Sequence, residues 1–219
     1  MENIMNKARV HTAYKLKDGT VAPSVTTIIS ELAKPALIHW AWELGTKGLD
    51  YRTFRDELAD VGSLTHKMIL DYFKKEKTDV SDYSKNQIDL AENCFLKFLE
   101  WEGKHKVEPV LIETPLVSEK LRYGGTADFF GLVDDRPTLI DFKTGKGIYD
   151  EYWYQLSAYN QLLLEANYKP EIFIILNIGR AETEIFAEEI KTDLSRHFTI
   201  FLRCLDIYYL KKELKRGER

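Results

Sequence analysis

Residues 124 to 146, GGTADFFGLVDDRPTLIDFKTGK, place charged side chains inside segments that otherwise have the composition of buried strands. Tyr123 to Val133 is rich in aromatic and apolar residues, and Thr138 to Phe142 is the short apolar run TLIDF. Charged side chains almost never point into a buried face unless they are paired or bind a metal ion. The fold of this chain must therefore provide partners for Asp128 and Asp141.

The segments around this stretch predict a mixed β-sheet with helices on its faces. Val107 to Val117 has the composition of a strand adjacent to Tyr123 to Val133, and Arg136-Pro137 predicts a break before TLIDF. Apolar spacing predicts two further strands and two helices, namely strands Glu171 to Ile178 and Thr183 to Ile190 and helices Asp150 to Asn167 and Thr192 to Leu210. This order of elements indicates the α/β class, with a mixed central sheet flanked by helices.

The first half of the chain is predicted to be mainly helical. Ser24 suits the N-cap of SVTTIISELA, and Pro35 suits the first turn of the next helix. Gly62 is predicted to begin the helix GSLTHKMILDYFKK, and an amphipathic segment runs from Ser84 to about Gly103. A chain of 219 residues predicts one domain over 1–219, with a mainly helical lobe over 1–105 and an α/β core over 106–219.

The composition is that of an ordinary globular protein, with 44% hydrophobic and 30% charged residues. No apolar run approaches the ~20 residues that span a bilayer, and Met1 to Val10 lacks the apolar centre of a signal peptide. A cytoplasmic protein without membrane contact is therefore expected. The two cysteines, Cys94 and Cys204, are too few for a four-cysteine zinc or iron–sulfur site and are expected in the core.

The charge distribution restricts how the chain could bind nucleic acid. A net charge of −4 argues against a protein that coats nucleic acid non-specifically. It does not exclude a nuclease, because a metal site needs acidic residues and the phosphate contacts can be local. The basic residues between Lys211 and Arg219 fit either DNA contact or a solvated helix end.

Asp141 and Lys143 are two residues apart, so in a strand both side chains face the same side of the sheet. Asp128 lies in the preceding strand and can approach them where the strands are neighbours. Two carboxylates suit Mg²⁺, and a nearby ammonium can orient water or neutralise charge that develops on a phosphate. The alternative is a hairpin with exposed acids and a lysine that forms a salt bridge.

This stretch resembles the core of the PD-(D/E)XK nuclease superfamily, in the RecB-like branch that includes Cas4, lambda-type exonucleases and the mitochondrial genome maintenance exonuclease. Asp128 stands where that family has the Asp of its "PD", with Ala127 in place of the proline. Asp141-Phe142-Lys143 matches the D/E-x-K half. Gln155 and Tyr159 match the branch's Q-x-x-x-Y signature, and Gly62 to His66 resembles its G-x-x-x-H helix.

The resemblance implies a restriction-endonuclease-like core and a set of roles for these residues. Asp128, Asp141 and Lys143 would be catalytic, and His66, Asp128, Asp141 and the carbonyl of Phe142 would bind Mg²⁺, with Mn²⁺ as a substitute. Gln155 and Tyr159 would contact DNA. Independently of the resemblance, the aromatic run Tyr152 to Tyr154 makes Tyr152 a further candidate for DNA contact, because an aromatic ring can stack on a base; core packing is the alternative for at least one of the three residues. Glu113 fits either a solvated strand edge or a ligand of a second metal ion.

The function implied by the resemblance is a stand-alone DNA exonuclease, without an iron–sulfur cluster, that acts on single strands or free ends. The opening DGTVAPSVTTI resembles that of phage-borne members, which implies phage or bacterial recombination in the host cytoplasm and a recombination or single-strand-binding partner of unknown identity. Two alternatives remain open. One is an endonuclease of restriction or junction type, and the other is a catalytically silent DNA-binding relative.

Overall fold

The computed structural model describes residues 12–181 and 184–217. The predictions for Met1 to Val10, for the start of a strand at Thr183 and for Arg219 concern residues outside these ranges. Among the described helices, none combines the length and the apolar composition that crossing a bilayer requires.

A mixed sheet of five strands forms the centre, in the spatial order β3-β4-β5-β6-β7. The strands are β3 (Val107–Ser118), β4 (Tyr123–Val133), β5 (Arg136–Lys143), β6 (Ile172–Asn177) and β7 (Ala187–Lys191). The pairs β3–β4, β4–β5 and β6–β7 are antiparallel, whereas β5 and β6 are parallel. The predicted α/β class with a mixed sheet flanked by helices is confirmed.

The turn between β4 and β5 corrects one sequence prediction. The predicted break at Arg136-Pro137 is wrong, because Arg136 pairs with Val133 and Pro137 pairs with Leu132 inside the ladder. The chain reverses at Asp134 and Asp135 instead, with φ values of 50° and 63°. A two-residue turn with both φ values positive matches the twist of the flanking strands, and Asp tolerates this conformation.

Three helices cover one face of the sheet: α1 (Val25–Ile29), α5 (Asp150–Glu165) and α6 (Ser195–Gly217). Helix α5 is the crossover that the parallel pair β5–β6 requires. Its buried residues pack with the sheet and with the other two helices in one apolar cluster, which includes Val25, Leu139, Leu156, Ile175 and Phe201. This arrangement places one side of α5 above the end of β5.

Helices α3 (Tyr51–Lys74) and α4 (Lys85–Glu102) cover the opposite face. Ile69 and Phe98 from these helices share an apolar cluster with Phe129, Ile140 and Phe142 of the sheet. The described residues of the predicted helical lobe and of the predicted α/β core therefore share an apolar cluster across this face of the sheet. Helix α2 (Pro35–Thr46) buries only Leu44.

The start of α3 differs from its predicted position at Gly62. The helix begins at Tyr51, where the Asp50 side chain caps it by accepting a hydrogen bond from the Thr53 N–H. Gly62 lies in its middle, and a Cβ there would be 3.2 Å from Thr144 Oγ1. The glycine thus permits close contact between α3 and the loop after β5, and it does not mark a helix end.

The N-terminal segment contains a short hairpin that the sequence did not predict, β1 (Tyr14–Lys15) and β2 (Val21–Ala22). Tyr14 lies against β4 at Gly124, where a Cβ would be 2.3 Å from the tyrosine ring. The Tyr14 hydroxyl is 2.9 Å from Thr126 Oγ1. The hairpin is therefore fixed to the strand that carries Asp128.

Candidate metal centre

The candidate centre lies where β4 and β5 separate. Their ladder pairing ends at Phe129 and Ile140, so Asp128 and Asp141 are the next positions on the two strands. Asp128 Oδ2 accepts a hydrogen bond of 2.9 Å from the backbone N–H of Phe142. One carboxylate thus satisfies a backbone donor at the point of divergence and keeps its second oxygen available.

His66 reaches the same point from α3. Its Nδ1 is 2.9 Å from Glu113 Oε1 and 3.6 Å from Asp128 Oδ1. Its Nε2 is 3.2 Å from the carbonyl oxygen of Phe142. His66, Glu113 and Asp128 each offer one ligand atom, and these atoms all lie within 4.8 Å of one another.

Glu113 is held in an unusual backbone conformation. It lies in β3 opposite Asp128, between the paired residues Ile112 and Thr114, and its φ is 44°. A positive φ is uncommon for a residue with a side chain, and such strain is concentrated at functional sites. Here it accompanies a carboxylate that points at the imidazole of His66.

Asp141 is fully buried beside Lys143. The Lys143 ammonium is 2.5 Å from Asp141 Oδ2, which makes the contact an ion pair. Among the described residues, Asp141 Oδ1 has no hydrogen-bond partner. A buried carboxylate oxygen without a partner fits a site that a divalent cation completes, because hard cations prefer oxygen ligands.

The electrostatics of the acids and the histidine are coupled. Burial alone would lower the pKa of His66, but the carboxylates of Asp128 and Glu113 outweigh it and raise the pKa to about 9. Burial raises the pKa of Asp141 to about 7, with Lys143 opposing the shift and Asp128 adding to it. Burial also raises the pKa of Asp128. Without a cation, a protonated His66 can donate to both Glu113 and the Phe142 carbonyl near neutral pH; to bind a cation itself, the imidazole must lose a proton.

The other side of the centre is a chain of hydrogen bonds along α5. Lys143 Nζ donates to Gln155 Oε1 at 3.1 Å, and Gln155 Nε2 donates to the Tyr159 hydroxyl at 2.6 Å. The ammonium also lies 4.8 Å from the centre of the Tyr152 ring. We call Tyr152, Gln155 and Tyr159 the α5 wall.

Gly125 allows the α5 wall to approach the sheet. A Cβ at this position would be 2.5 Å from a ring carbon of Tyr159, closer than real Cβ contacts come. The glycine pair before Asp128 therefore has two separate packing roles, since Gly124 receives Tyr14 and Gly125 receives Tyr159. Burial raises the pKa of Tyr159, so its hydroxyl stays protonated.

The structure thus brings together every residue that the sequence proposed for the site. His66, Asp128 and the Phe142 carbonyl meet at one end, and Asp141 and Lys143 meet the α5 wall. Asp141 lies outside the compact group of ligand atoms formed by His66, Glu113 and Asp128. Glu113, which the sequence left as an alternative, is the third member of that group.

Asn177 is a neighbour of the site that sequence reasoning did not single out. It pairs with Lys143 across the parallel ladder and is fully buried. Its Nδ2 donates to the carbonyls of Gly145 and Ile185 at 3.1 and 2.9 Å. The signal for it was a polar residue at the end of the buried run IFIILN, and its role is to fix the loop that follows Lys143.

Comparison with known proteins gives no matching family model and no matching curated protein. Solved structures with a similar arrangement include a candidate exonuclease from Eubacterium rectale, at 14% identity and TM-score 0.47 over 73% of this chain and 67% of that one. The protein SSO0001 aligns at 13% identity and TM-score 0.41 over 90% and 78% of the two chains. An alkaline exonuclease from Laribacter hongkongensis aligns at 16% identity and TM-score 0.34 over 72% and 90%. These scores are low, so the functional argument depends on the geometry of the site.

Proposed function

We propose that this chain is a deoxyribonuclease of the PD-(D/E)XK type that depends on a divalent cation. The observation that carries the proposal is the convergence of Asp128, Asp141, Lys143 and His66 at the point where β4 and β5 separate. An exposed salt bridge would explain one acid and one lysine. It would not explain a fully buried Asp141 beside a second buried carboxylate.

In this proposal His66, Asp128, Glu113 and the Phe142 carbonyl would hold Mg²⁺ or Mn²⁺, and Asp141 would contribute an oxygen from the other strand. The cation supplies Lewis acidity toward the phosphodiester and lowers the pKa of water. Lys143 offers an ammonium to the attacking water or to a phosphate oxygen, and Gln155 and Asp141 hold that ammonium in place. Water adds to phosphorus, the bond to the 3′ oxygen breaks, and the products carry a 5′-phosphate and a 3′-hydroxyl.

Exonuclease action on single strands or free ends is the finer part of the proposal. It is supported by the match of Gln155 and Tyr159 to the RecB-like signature and by their place beside Lys143. A phage or bacterial role in recombination, in the host cytoplasm and as a single domain, belongs to the same resemblance-based proposal.

The test is cleavage of linear and circular DNA, each in single-stranded and duplex form, with Mg²⁺ and with EDTA. We expect cation-dependent loss of linear DNA and an intact circle. Cleavage of the circle would identify an endonuclease. The variant Asp141→Asn should be inactive, whereas Asp89→Asn, which changes an exposed acid on α4, should cut like the unmodified chain. Full activity of Asp141→Asn would contradict the proposal.

A further inference from the structure

A groove of about 460 Å³ opens along α3 beside the candidate metal centre. Its surface on α3 is formed by Ala59, Gly62, Ser63, Lys67 and Leu70, and we call it the α3 groove. These residues recur at helical spacing, so they form one continuous face of the helix. The small residues at 59, 62 and 63 keep the helix backbone close to the surface of the groove.

The α3 groove is continuous with the metal centre, because His66 and Glu113 form part of its lining. A phosphodiester bond joins two nucleotides, so a strand held at the centre must extend away from it. Toward α5, the space next to Lys143 is taken by Gln155 and by the Tyr152 ring. The α3 groove is therefore an open path for the strand, and its volume is within the ~300–1,000 Å³ range of small-ligand sites.

Lys67 supplies a charge at this groove. Its ammonium donates one hydrogen bond, of 2.8 Å, to the backbone carbonyl of Asp79. An ammonium has three donors, so two others can bind a phosphate. The contact with Asp79 holds the long side chain in place and so reduces the entropy lost when a ligand binds.

We infer that the α3 groove binds the nucleotide unit next to the scissile phosphate, with its base and sugar on the Ala59, Gly62 and Ser63 surface and the adjoining phosphate on Lys67. This inference rests on the proposed function and adds a binding subsite to it. The ligand class is a single nucleic-acid strand, since the part of the groove on α3 offers small side chains and the Lys67 ammonium, while His66 and Glu113 of the lining belong to the metal centre.

The experiment measures the binding of a fluorescent oligothymidylate to the whole chain in Ca²⁺, over a series of salt concentrations. Ser63→Leu adds a branched aliphatic side chain at an exposed position inside the groove and should weaken binding about tenfold, the size of one lost base contact. Lys67→Gln should make the slope of log affinity against log salt shallower by about 0.7, the value for one phosphate of a single strand. Neither change should alter Mn²⁺ affinity measured by calorimetry.

Two matched variants control for bulk and for charge. Glu57→Leu adds the same side chain to an exposed position of α3 outside the groove lining, and Lys74→Gln removes an exposed charge at the end of that helix. Both should bind the oligonucleotide like the unmodified chain. Thermal unfolding confirms that each variant is folded.

The outcomes separate this inference from the proposed function. Ser63→Leu with unmodified affinity, together with an unchanged salt slope for Lys67→Gln, would overturn the groove as a binding site. Weakened binding in both variants supports it. If binding depends on the groove but the unmodified chain cleaves no DNA with Mg²⁺ or Mn²⁺, the nuclease proposal fails and the binding site stands.

Discussion

The two sides of the candidate centre are built differently. On the α5 side, Lys143, Gln155 and Tyr159 are linked by side-chain hydrogen bonds of 2.6 and 3.1 Å, and Tyr159 is 5% exposed. On the α3 side, the side chains of His66 and Glu113 are about a quarter exposed, at 26% and 27%, and they line an open groove. The α5 side is a fixed support for one ammonium, and the α3 side is accessible to a ligand. This contrast suggests that chemistry is positioned from α5 and that cation and substrate enter from α3.

Asp128 lies next to His66 and also holds the backbone of β5, so its loss should have the largest effect. Asp128→Asn should reduce DNA cleavage about 10³-fold or more, because a cation ligand that stabilises transition-state charge is lost. The amide oxygen can still accept from the Phe142 N–H, so the free energy of unfolding should change little. Asp128→Ala should lose activity equally and also cost about 1–3 kcal/mol, since a buried donor is left without a partner. Activity assays and urea unfolding measure the two effects.

Next in size are the changes on the α3 side. His66→Ala or Glu113→Gln should weaken Mn²⁺ binding about 10–100-fold, as loss of groups around a metal does. Calorimetric titration measures this affinity. His105→Ala is the matched control, because His105 pairs with the exposed Asp134 at the far end of the β4–β5 hairpin. If His66→Ala bound Mn²⁺ with the affinity of the unmodified chain, the histidine would not be a ligand.

The α5 side should respond more mildly and without a change in cation affinity. Tyr159→Phe removes the acceptor of the Gln155 amide and should lower kcat about tenfold through a less well held Lys143, which corresponds to the ~1.4 kcal/mol of one good hydrogen bond. Tyr154→Phe, on the same helix, is the control. A drop in Mn²⁺ affinity as large as that of His66→Ala would break the distinction between the two sides.

The smallest expected effect is a dependence on pH of the stability of the metal-free protein. The pKa of Asp141 is raised from 3.8 to about 7, so the folded state holds its proton more tightly and stability falls as pH rises from 4 to 7. The pKa of His66 is raised from 6.5 to about 9, so its contribution is present below pH 6.5 and is lost as pH rises to 9. Both pKa shifts therefore make the folded state less stable as the pH rises.

Thermal unfolding in EDTA between pH 5 and 9 should therefore show a falling midpoint. Asp141→Asn should flatten the dependence of the midpoint on pH below pH 7, whereas Asp89→Asn should reproduce the curve of the unmodified chain. Saturating Mn²⁺ should reduce this fall in the unfolding midpoint, because the cation takes the place of the protons on Asp141 and His66. A midpoint that rises across this range in EDTA would contradict the assigned shifts.

Much of the site followed from local sequence, and the rest depended on distant contacts. Asp128, Asp141 and Lys143 were predictable because two strands joined by a short turn fix which residues are neighbours and which share a face. The turn itself was misplaced, since Pro137 was interpreted as a break although it pairs with Leu132 inside the ladder. Strand propensity therefore predicted the positions of Asp128 and Asp141 more accurately than it predicted the turn between their strands.

Glu113 shows what sequence alone does not determine. Its place opposite Asp128 depends on the register between β3 and β4, and its positive φ has no signature in a glutamate. The start of α3 was misplaced for a related reason, because a glycine such as Gly62 suggests the terminus of a helix rather than its middle. Gly62 allows Thr144 to approach α3, and this contact arises only when two segments that are distant in sequence fold together.

The order of the strands has a consequence for how the chain folds. Glu113, Asp128 and Asp141 all belong to one antiparallel meander, Val107 to Lys143, whereas His66 is 47 residues upstream of Glu113. Short loops close at a lower entropic cost than long ones, so the three acids can meet before the histidine arrives. At this point the early meander would then carry three carboxylates against the ammonium of Lys143, so refolding of this chain should proceed faster when protons or divalent ions are plentiful.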